Sequence, residues 1–282
     1  MTDTCGIYSQ TLKKDEFNAI RRYIHDHCGI RLPDNKKNMV EGRIRKRLKA
    51  LGMSTYREYI EYVFDDANPV CDREQLELID AITTNKTDFF REVNHFNYMS
   101  STVLKKFSDK GIGTNRTLNV WSSACSTGEE PYTIAMVLAE YFGLDGNFRV
   151  YATDINTAVL ETARTAVYSR EKAEDIPYEL KKRYMLRSKD RQKVRFIPAI
   201  REKVTFGRLN LMDSSYSLPA VMDIAFCRNV IIYFDHDTQY DIIRKICGNI
   251  IKGGYLFMGH SETVHGMDLP LKIEAPTVFV KQ

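Results

Sequence analysis

Residues 148–164, FRVYATDINTAVLETAR, contain the change of rhythm that decides the fold. The first seven form a β-branched and aromatic run that ends on an acid, Asp154, and reads as a strand. The last nine, NTAVLETAR, place their apolar residues at helical spacing behind a polar start. The same unit recurs on both sides. TLNVWSS (117–123) precedes the helical EPYTIAMVLAEYFG, and VTFGRLN (204–210) and MDIAFCRN (222–229) supply further strands. DTQYDIIRKICGNIIKGG reads as a helix closed by Gly253-Gly254, and GYLFMGH (254–260) as a fifth strand. Strands alternating with helices predict an α/β fold with a doubly wound, mostly parallel sheet, Rossmann-like in organisation. LKIEAPTVFVKQ at the end reads as an edge hairpin. KVRFIPAIREKVTF (193–206) breaks the rhythm with two strand patterns and no helix between them, so a small antiparallel insertion is expected at about 190–206.

Upstream, only helices are expected. KKDEFNAIRRYIHDHCGI sets Phe17, Ile20, Tyr23 and Ile24 on one face, with Gly29 as the stop. STYREYIEYVF opens with a Ser-Thr cap signal, and DREQLELIDAIT is another amphipathic series. The expected division is a small all-helical domain over 1–80 and the α/β domain over 81–282.

Composition narrows the class. An apolar share of 43% with 28% charged residues is that of an ordinary globular protein. No apolar run approaches the roughly 18 residues that a membrane-spanning helix needs. The first residues lack a basic-then-apolar leader pattern, so a cytoplasmic location is expected. The chain is also expected to be a monomer. Six cysteines (5, 28, 71, 125, 227, 247) show no C-x-x-C spacing, which suits reduced thiols rather than a disulfide framework or a zinc site. His25 and His27 beside Cys28 lack a second ligand pair, and no metal is expected.

Charge is concentrated in one place. Residues 36–49, KKNMVEGRIRKRLK, carry seven Lys/Arg against one Glu, a net of +6 in a chain of net +4. Val40, Ile44, Leu48 and Leu51 form a stripe by which this helix can dock on a core. The other positions are nearly all basic, with little acid in the helix to offset their repulsion, which points to an anionic partner.

In open α/β sheets ligands bind beyond the carboxyl ends of the strands. The first strand runs into ACSTGEEP (124–131), a small-residue turn before a helix. With a single glycine, no Walker lysine, and Glu129 and Glu130 at the helix start, it suits a hydroxyl-bearing or cationic ligand better than a phosphate. Asp154 at the end of the second strand can accept both hydroxyls of a ribose, or else cap the following helix. Asn210-Leu211 end the third strand and Arg228-Asn229 the fourth. Polar groups at four adjacent strand ends suggest a nucleoside ligand without a triphosphate grip.

Together ITTNKTDFFRE, WSSACSTGEEPYTIAM, YATDIN with VLETAR, CRNVIIYF and GGYLFMGHSE resemble the S-adenosylmethionine-dependent chemotaxis-receptor methyltransferases, the CheR family. The resemblance extends to the helical region GIRLPDNKKNMVEGRIRKRL. It implies methyl transfer to glutamate side chains of receptor cytoplasmic helices, with S-adenosylhomocysteine as the other product. By motif, it implies cofactor contacts at Asn85, Thr87, Arg91, Glu130, Asp154, Asn210, Leu211, Arg228 and Asn229. It sets Tyr233 beside the methyl-transfer position, with Arg91 also orienting the acceptor. Arg43, Lys46, Arg47 and Lys49 match the receptor-recognition helix; Arg45 falls where the family varies. The turn RSKDRQKV has no glycine and is shorter than the loop of relatives whose insertion binds a receptor tail.

The chemistry is consistent with these residue types. A glutamate of reference pKa about 4.3 is ionised at neutral pH and already nucleophilic. No general base is needed, and catalysis reduces to aligning carboxylate, methyl and sulfur at roughly 3 Å away from water. Two other readings fit less well. A nucleic-acid amino-methyltransferase would favour an Asn/Asp-Pro-Pro-aromatic turn after the fourth strand, where RNVIIY has no proline. A receptor adaptor without activity would not require Arg91, Asp154 and Tyr233 together.

Overall fold

The computed structural model describes residues 10–65 and 71–282, so Cys5 and the first residues of the chain lie outside the described set. The chain divides into two compact units, residues 1–84 with 233–235, and residues 85–232 with 236–282. No helix among the described residues is long and apolar enough to cross a membrane.

The first unit is helical: α1 (Lys14–Cys28), α2 (Lys37–Leu51), α3 (Tyr56–Val63) and α4 (Cys71–Ile82). Gly29 ends α1 at φ 69°, a left-handed conformation in which glycine pays no Cβ penalty. Thr55 caps α3 by accepting from the Glu58 N–H, while Glu58 accepts from the Ser54 N–H. Val40, Ile44 and Leu48 of α2 are fully buried, as their spacing requires. Tyr233 belongs with this unit, its carbonyl accepting the Arg31 N–H at 2.9 Å.

The second unit is built on a seven-stranded sheet. Its strands are β1 (Leu118–Ser122), β2 (Phe148–Asp154), β6 (Val204–Arg208), β7 (Met222–Cys227), β8 (Ile250–Met258), β9 (Leu271–Ala275) and β10 (Val278–Lys281). Their order is β6-β2-β1-β7-β8-β10-β9. The first five are mutually parallel, and the β9–β10 hairpin is antiparallel, as expected for the chain end. From β1 the chain builds outward to β2 and β6, then returns to place β7 on the other side of β1. The topological switch point therefore lies between β1 and β7. α7 (Glu129–Phe142), α8 (Thr157–Thr165) and α11 (His236–Gly248) follow β1, β2 and β7 in the chain. Trp121 is fully buried, and Phe226 stacks on Phe257 at 4.6 Å between ring centres across β7 and β8.

Two expectations are corrected. The antiparallel insertion spans a wider range than 190–206 and has other partners. It is a separate three-stranded sheet, β3 (Val167–Ser169), β5 (Lys193–Phe196) and β4 (Met185–Arg187). Its neighbour in sequence, β6, joins the main sheet parallel to β2, and a short helix, α10 (Pro198–Arg201), separates β5 from β6. The two strand patterns of 193–206 thus go to different sheets. The tight turn between β4 and β5 uses Arg191 at φ 59° where a glycine would be unstrained.

The second correction concerns Gly253-Gly254, which lie inside β8 and not at a helix end, α11 having closed at Gly248. Ile250 and Ile251 are β-branched and favour the strand. Gly253 takes φ 75°, and the pairing register between β7 and β8 shifts there. A Cβ on Gly254 would lie 2.7 Å from the Asp223 carbonyl oxygen, so the pair serves a close strand approach.

Candidate active site

The carboxyl ends of β1, β2, β6 and β7 carry the expected residues, and the structure joins most of them in one network. Asp154 ends β2 with an 8% exposed carboxylate. Its Oδ2 accepts the Ser126 N–H at 2.8 Å and its Oδ1 the Asn156 N–H at 2.9 Å. The helix cap that Asp154 could have provided comes from Asn156, whose side chain accepts the Val159 N–H. Asp154 thereby ties the β1 turn to the residue that caps α8. The third strand end lies alongside, because the Leu209 N–H donates to the Asp154 carbonyl. There Asn210 folds its side chain onto the Met212 N–H, and the buried Leu211 offers its carbonyl to Tyr216 and Lys245.

In the β1 turn, Ser126 at φ 49° and Gly128 at φ 96° bring the backbone into a sharp bend. A Cβ on Gly128 would meet the Tyr168 hydroxyl at 2.8 Å and Ala163 Cβ at 2.9 Å, so only glycine fits. Glu129 is 1% exposed, holding the Thr127 hydroxyl with Lys172 Nζ 3.6 Å away. Burial pushes its carboxyl above the ordinary range, against the pull of Thr127 and Lys172.

Arg228 at the end of β7 answers why a cation stands after a core strand. Its side chain is 2% exposed and lies between Glu130 Oε2 at 2.9 Å and Glu92 Oε2 at 3.0 Å, and it also donates to the Arg91 carbonyl. Asn229, at φ 57°, donates from Nδ2 to Glu92 Oε1 at 3.1 Å. Glu130 in turn accepts the Ser122 hydroxyl at 2.7 Å. The charge is thus compensated within the protein, as a buried ion requires.

The segment 85–93 precedes α5 (Asn94–Tyr98) and has no helix or strand of its own. It is held by its carbonyls. Ser126 donates to the Asn85 carbonyl, Lys172 to that of Thr87, and Arg228 to that of Arg91. The Arg91 guanidinium donates to the Lys86 carbonyl at 3.0 Å. Phe90 and Glu92 adopt φ 54° and 56°. Four of the chain's non-glycine residues at positive φ (Phe90, Glu92, Ser126, Asn229) thus fall in this one network, where strained backbone points to function.

Sequence reasoning missed Glu262, although its motif was in view. It is 6% exposed and accepts the N–H groups of Asn229, Val230, Ile231 and Gly259 at 2.7–3.0 Å. It thereby shapes the loop that carries Asn229 and leads to Tyr233. Burial pushes its carboxyl up, and the four amides pull it back.

In the basic helix, Arg43 and Arg47 have partners within the protein. Arg43 donates to the carbonyls of Ala81, Ile82 and Thr83 and so closes the end of α4. Arg47 binds Glu74 through Nε at 2.9 Å and Nη2 at 2.7 Å, and Glu77 at 2.9 Å. The acid that α2 lacks is supplied by α4. Lys46 and Lys49 are exposed. His25 and His27 do not converge: His25 faces Asp26 and Asp235, and His27 stacks on Tyr23. The five cysteines of the described residues are buried and are not joined in disulfides.

A parallel sheet with an acid at the end of β2, a one-glycine turn after β1 and an antiparallel closing hairpin is the frame of a Rossmann-like, S-adenosylmethionine-dependent methyltransferase. Residues 85–280 match the family described as CheR methyltransferase, SAM binding domain, and residues 15–83 match its all-alpha domain. Similar curated proteins include a chemotaxis protein methyltransferase of Borreliella burgdorferi, 37% identical over 259 residues that cover 90% of each chain. Chemotaxis protein methyltransferase 2 of Pseudomonas aeruginosa is 36% identical over 260 residues, 91% of this chain and 89% of its own. A chemotaxis protein methyltransferase of Escherichia coli is 35% identical over 286 residues, 98% of this chain and 96% of its own. The chain belongs to the CheR methyltransferase family, and its cofactor is S-adenosylmethionine.

The residues fit that cofactor. Asp154 is a carboxylate acceptor at the strand end, the group type that takes ribose hydroxyls, and Gly128 lets the main chain come close.

Proposed function

We propose that the chain methylates glutamate side chains on the cytoplasmic helices of chemotaxis receptors, forming methyl esters, and works in the cytoplasm. The observation that carries this reading is the carbonyl-held segment 85–93 beside Asp154 and Arg228. It contains the polar residues Asn85, Thr87 and Arg91, each anchored through its carbonyl. Bound S-adenosylmethionine supplies an electrophilic methyl group on sulfur. Asp154 would hold the ribose, Asn85, Thr87, Glu130, Arg228 and Asn229 would set the cofactor's place, and Asn210 and Leu211 would border it. Arg91 would orient the acceptor carboxylate by a charge-assisted pair. Tyr233, four residues after Asn229, would act at the methyl-transfer position through its hydroxyl.

No residue need remove a proton, because the acceptor is already an anion. Exposed Lys46 and Lys49 would meet the acidic receptor surface, with Arg43 and Arg47 holding their helix in place. The test is incubation with methyl-labelled cofactor and receptor cytoplasmic fragments. Label released as methanol by mild alkali supports glutamate esters; alkali-stable label, or none on any receptor fragment, overturns the reading. A Tyr233→Phe protein that keeps cofactor affinity but turns over as fast as the parent removes Tyr233 from the proposal.

A further inference from the structure

Next to the Arg228 network, Glu92, His95 and His260 converge. One carboxylate oxygen and one ring nitrogen from each histidine lie within 4.8 Å of one another. His95 Nδ1 stands 3.5 Å and His260 Nε2 3.9 Å from Glu92 Oε2. The two rings meet edge-on at 5.1 Å.

His95 is 2% exposed, and its Nε2 is 2.8 Å from the Thr277 hydroxyl, which also lies 2.8 Å from the Pro276 carbonyl. With its proton on Nε2, donated to that hydroxyl, the ring offers its Nδ1 lone pair to a ligand. Nδ1 is buried and without a hydrogen-bond partner, and it faces Glu92 Oε2.

We propose that Glu92, His95 and His260 form a binding site for a divalent transition-metal ion of zinc-like preference. Two imidazoles and one carboxylate are the ligand types such ions take, with a fourth position left open. Metal–ligand bonds of about 2.0–2.1 Å need donors roughly 3.4 Å apart in a tetrahedron, so Glu92 and His95 are already in place and His260 has only to swing inward. His260 is exposed, which gives the ion a way in, and Thr277 is the outer partner that orients His95. Glu130, Arg228 and Glu92 together carry a net negative charge, so a cation is not repelled overall. Because Glu92 Oε2 is shared with Arg228, an ion drawing on it weakens the hold on Arg228 and couples the site to the strand-end network.

The test uses the full chain and cobalt(II), a spectroscopic stand-in for zinc(II). One equivalent is expected to give intense ligand-field bands of low coordination number that zinc(II) displaces. His260→Ala, an exposed change that leaves the fold intact, should weaken cobalt binding at least tenfold, and Glu92→Gln should do the same. Zinc(II) should move the 15N resonance of His95 Nδ1 and not that of Nε2. Bands unchanged in His260→Ala would show binding at other histidines and overturn the site. No cobalt band at one equivalent would overturn the site as well. None of these readouts depends on methyl transfer, so the site and the enzymatic reading stand or fall separately.

Discussion

Arg228 and Glu130, 98 residues apart, meet at 2.9 Å with side chains 2% and 12% exposed. Removing Glu130 leaves Arg228 with Glu92 as its remaining carboxylate and deprives the Ser122 hydroxyl of its acceptor, at a cost of about 2 kcal/mol. Glu130→Ala is therefore expected to lower unfolding stability by about that amount in denaturant titrations, although Glu130 stands at the start of a helix. A loss below about 0.5 kcal/mol, the size of an exposed pair, would contradict the buried geometry.

Asp154→Asn should weaken S-adenosylmethionine binding at least tenfold, equivalent to about 1.4 kcal/mol. It should also destabilise the free protein by about 1–3 kcal/mol, because an amide nitrogen must then face the Ser126 or Asn156 N–H. Calorimetric titration and thermal unfolding read the two effects separately. Loss of stability with unchanged affinity would assign Asp154 to loop tethering alone.

The basic helix should separate by function. Lys46→Glu with Lys49→Glu is expected to raise receptor KM and flatten its salt dependence while stability stays within about 0.5 kcal/mol. Arg47→Glu would face Glu74 and Glu77, and should cost about 3 kcal/mol of stability. Steady-state kinetics over a salt series, with unfolding curves for each variant, check both.

Glu129 gives a pH signature. Its folded pKa is raised, so the folded state holds the proton more tightly than the unfolded chain. The stability it contributes is full at low pH, falls as pH rises from the ordinary carboxylate range to the raised value, and is flat above it. Glu129→Gln should therefore gain on the parent as pH rises through that window. Parallel stability curves for the two proteins would count against the burial described.

Glu262→Gln should cost about 3 kcal/mol, because an amide offers one oxygen to four N–H donors and points its own N–H groups at the rest. Chemical denaturation measures it. Amide exchange at Asn229, Val230 and Ile231 should accelerate in the same variant.

The strand ends were readable because a short apolar, β-branched or aromatic run stopping at Asp154 or at Arg228-Asn229 is a local signal. Local signals failed where a partner far along the chain decides. Gly253-Gly254 look like a helix stop until β7 is seen to press on Gly254. Arg43 and Arg47 look like a free basic face until α4 supplies carbonyls and carboxylates. His260 and Glu92 lie 168 residues apart, and nothing near either announces the other. The strands of 193–206 misled for a related reason: alternation shows that a strand exists, whereas pairing depends on which edge is open.

The three grips on the 85–93 segment have an evolutionary reading. Carbonyl oxygens are present whatever the side chains are, so Ser126, Lys172 and Arg228 would hold this loop even if its residues were exchanged. Position and chemistry are thereby encoded in different parts of the gene. A library randomised at Asn85, Thr87 and Arg91 should yield mostly folded proteins with altered ligand preference, whereas one randomised at Ser126, Lys172 and Arg228 should lose the loop's placement first.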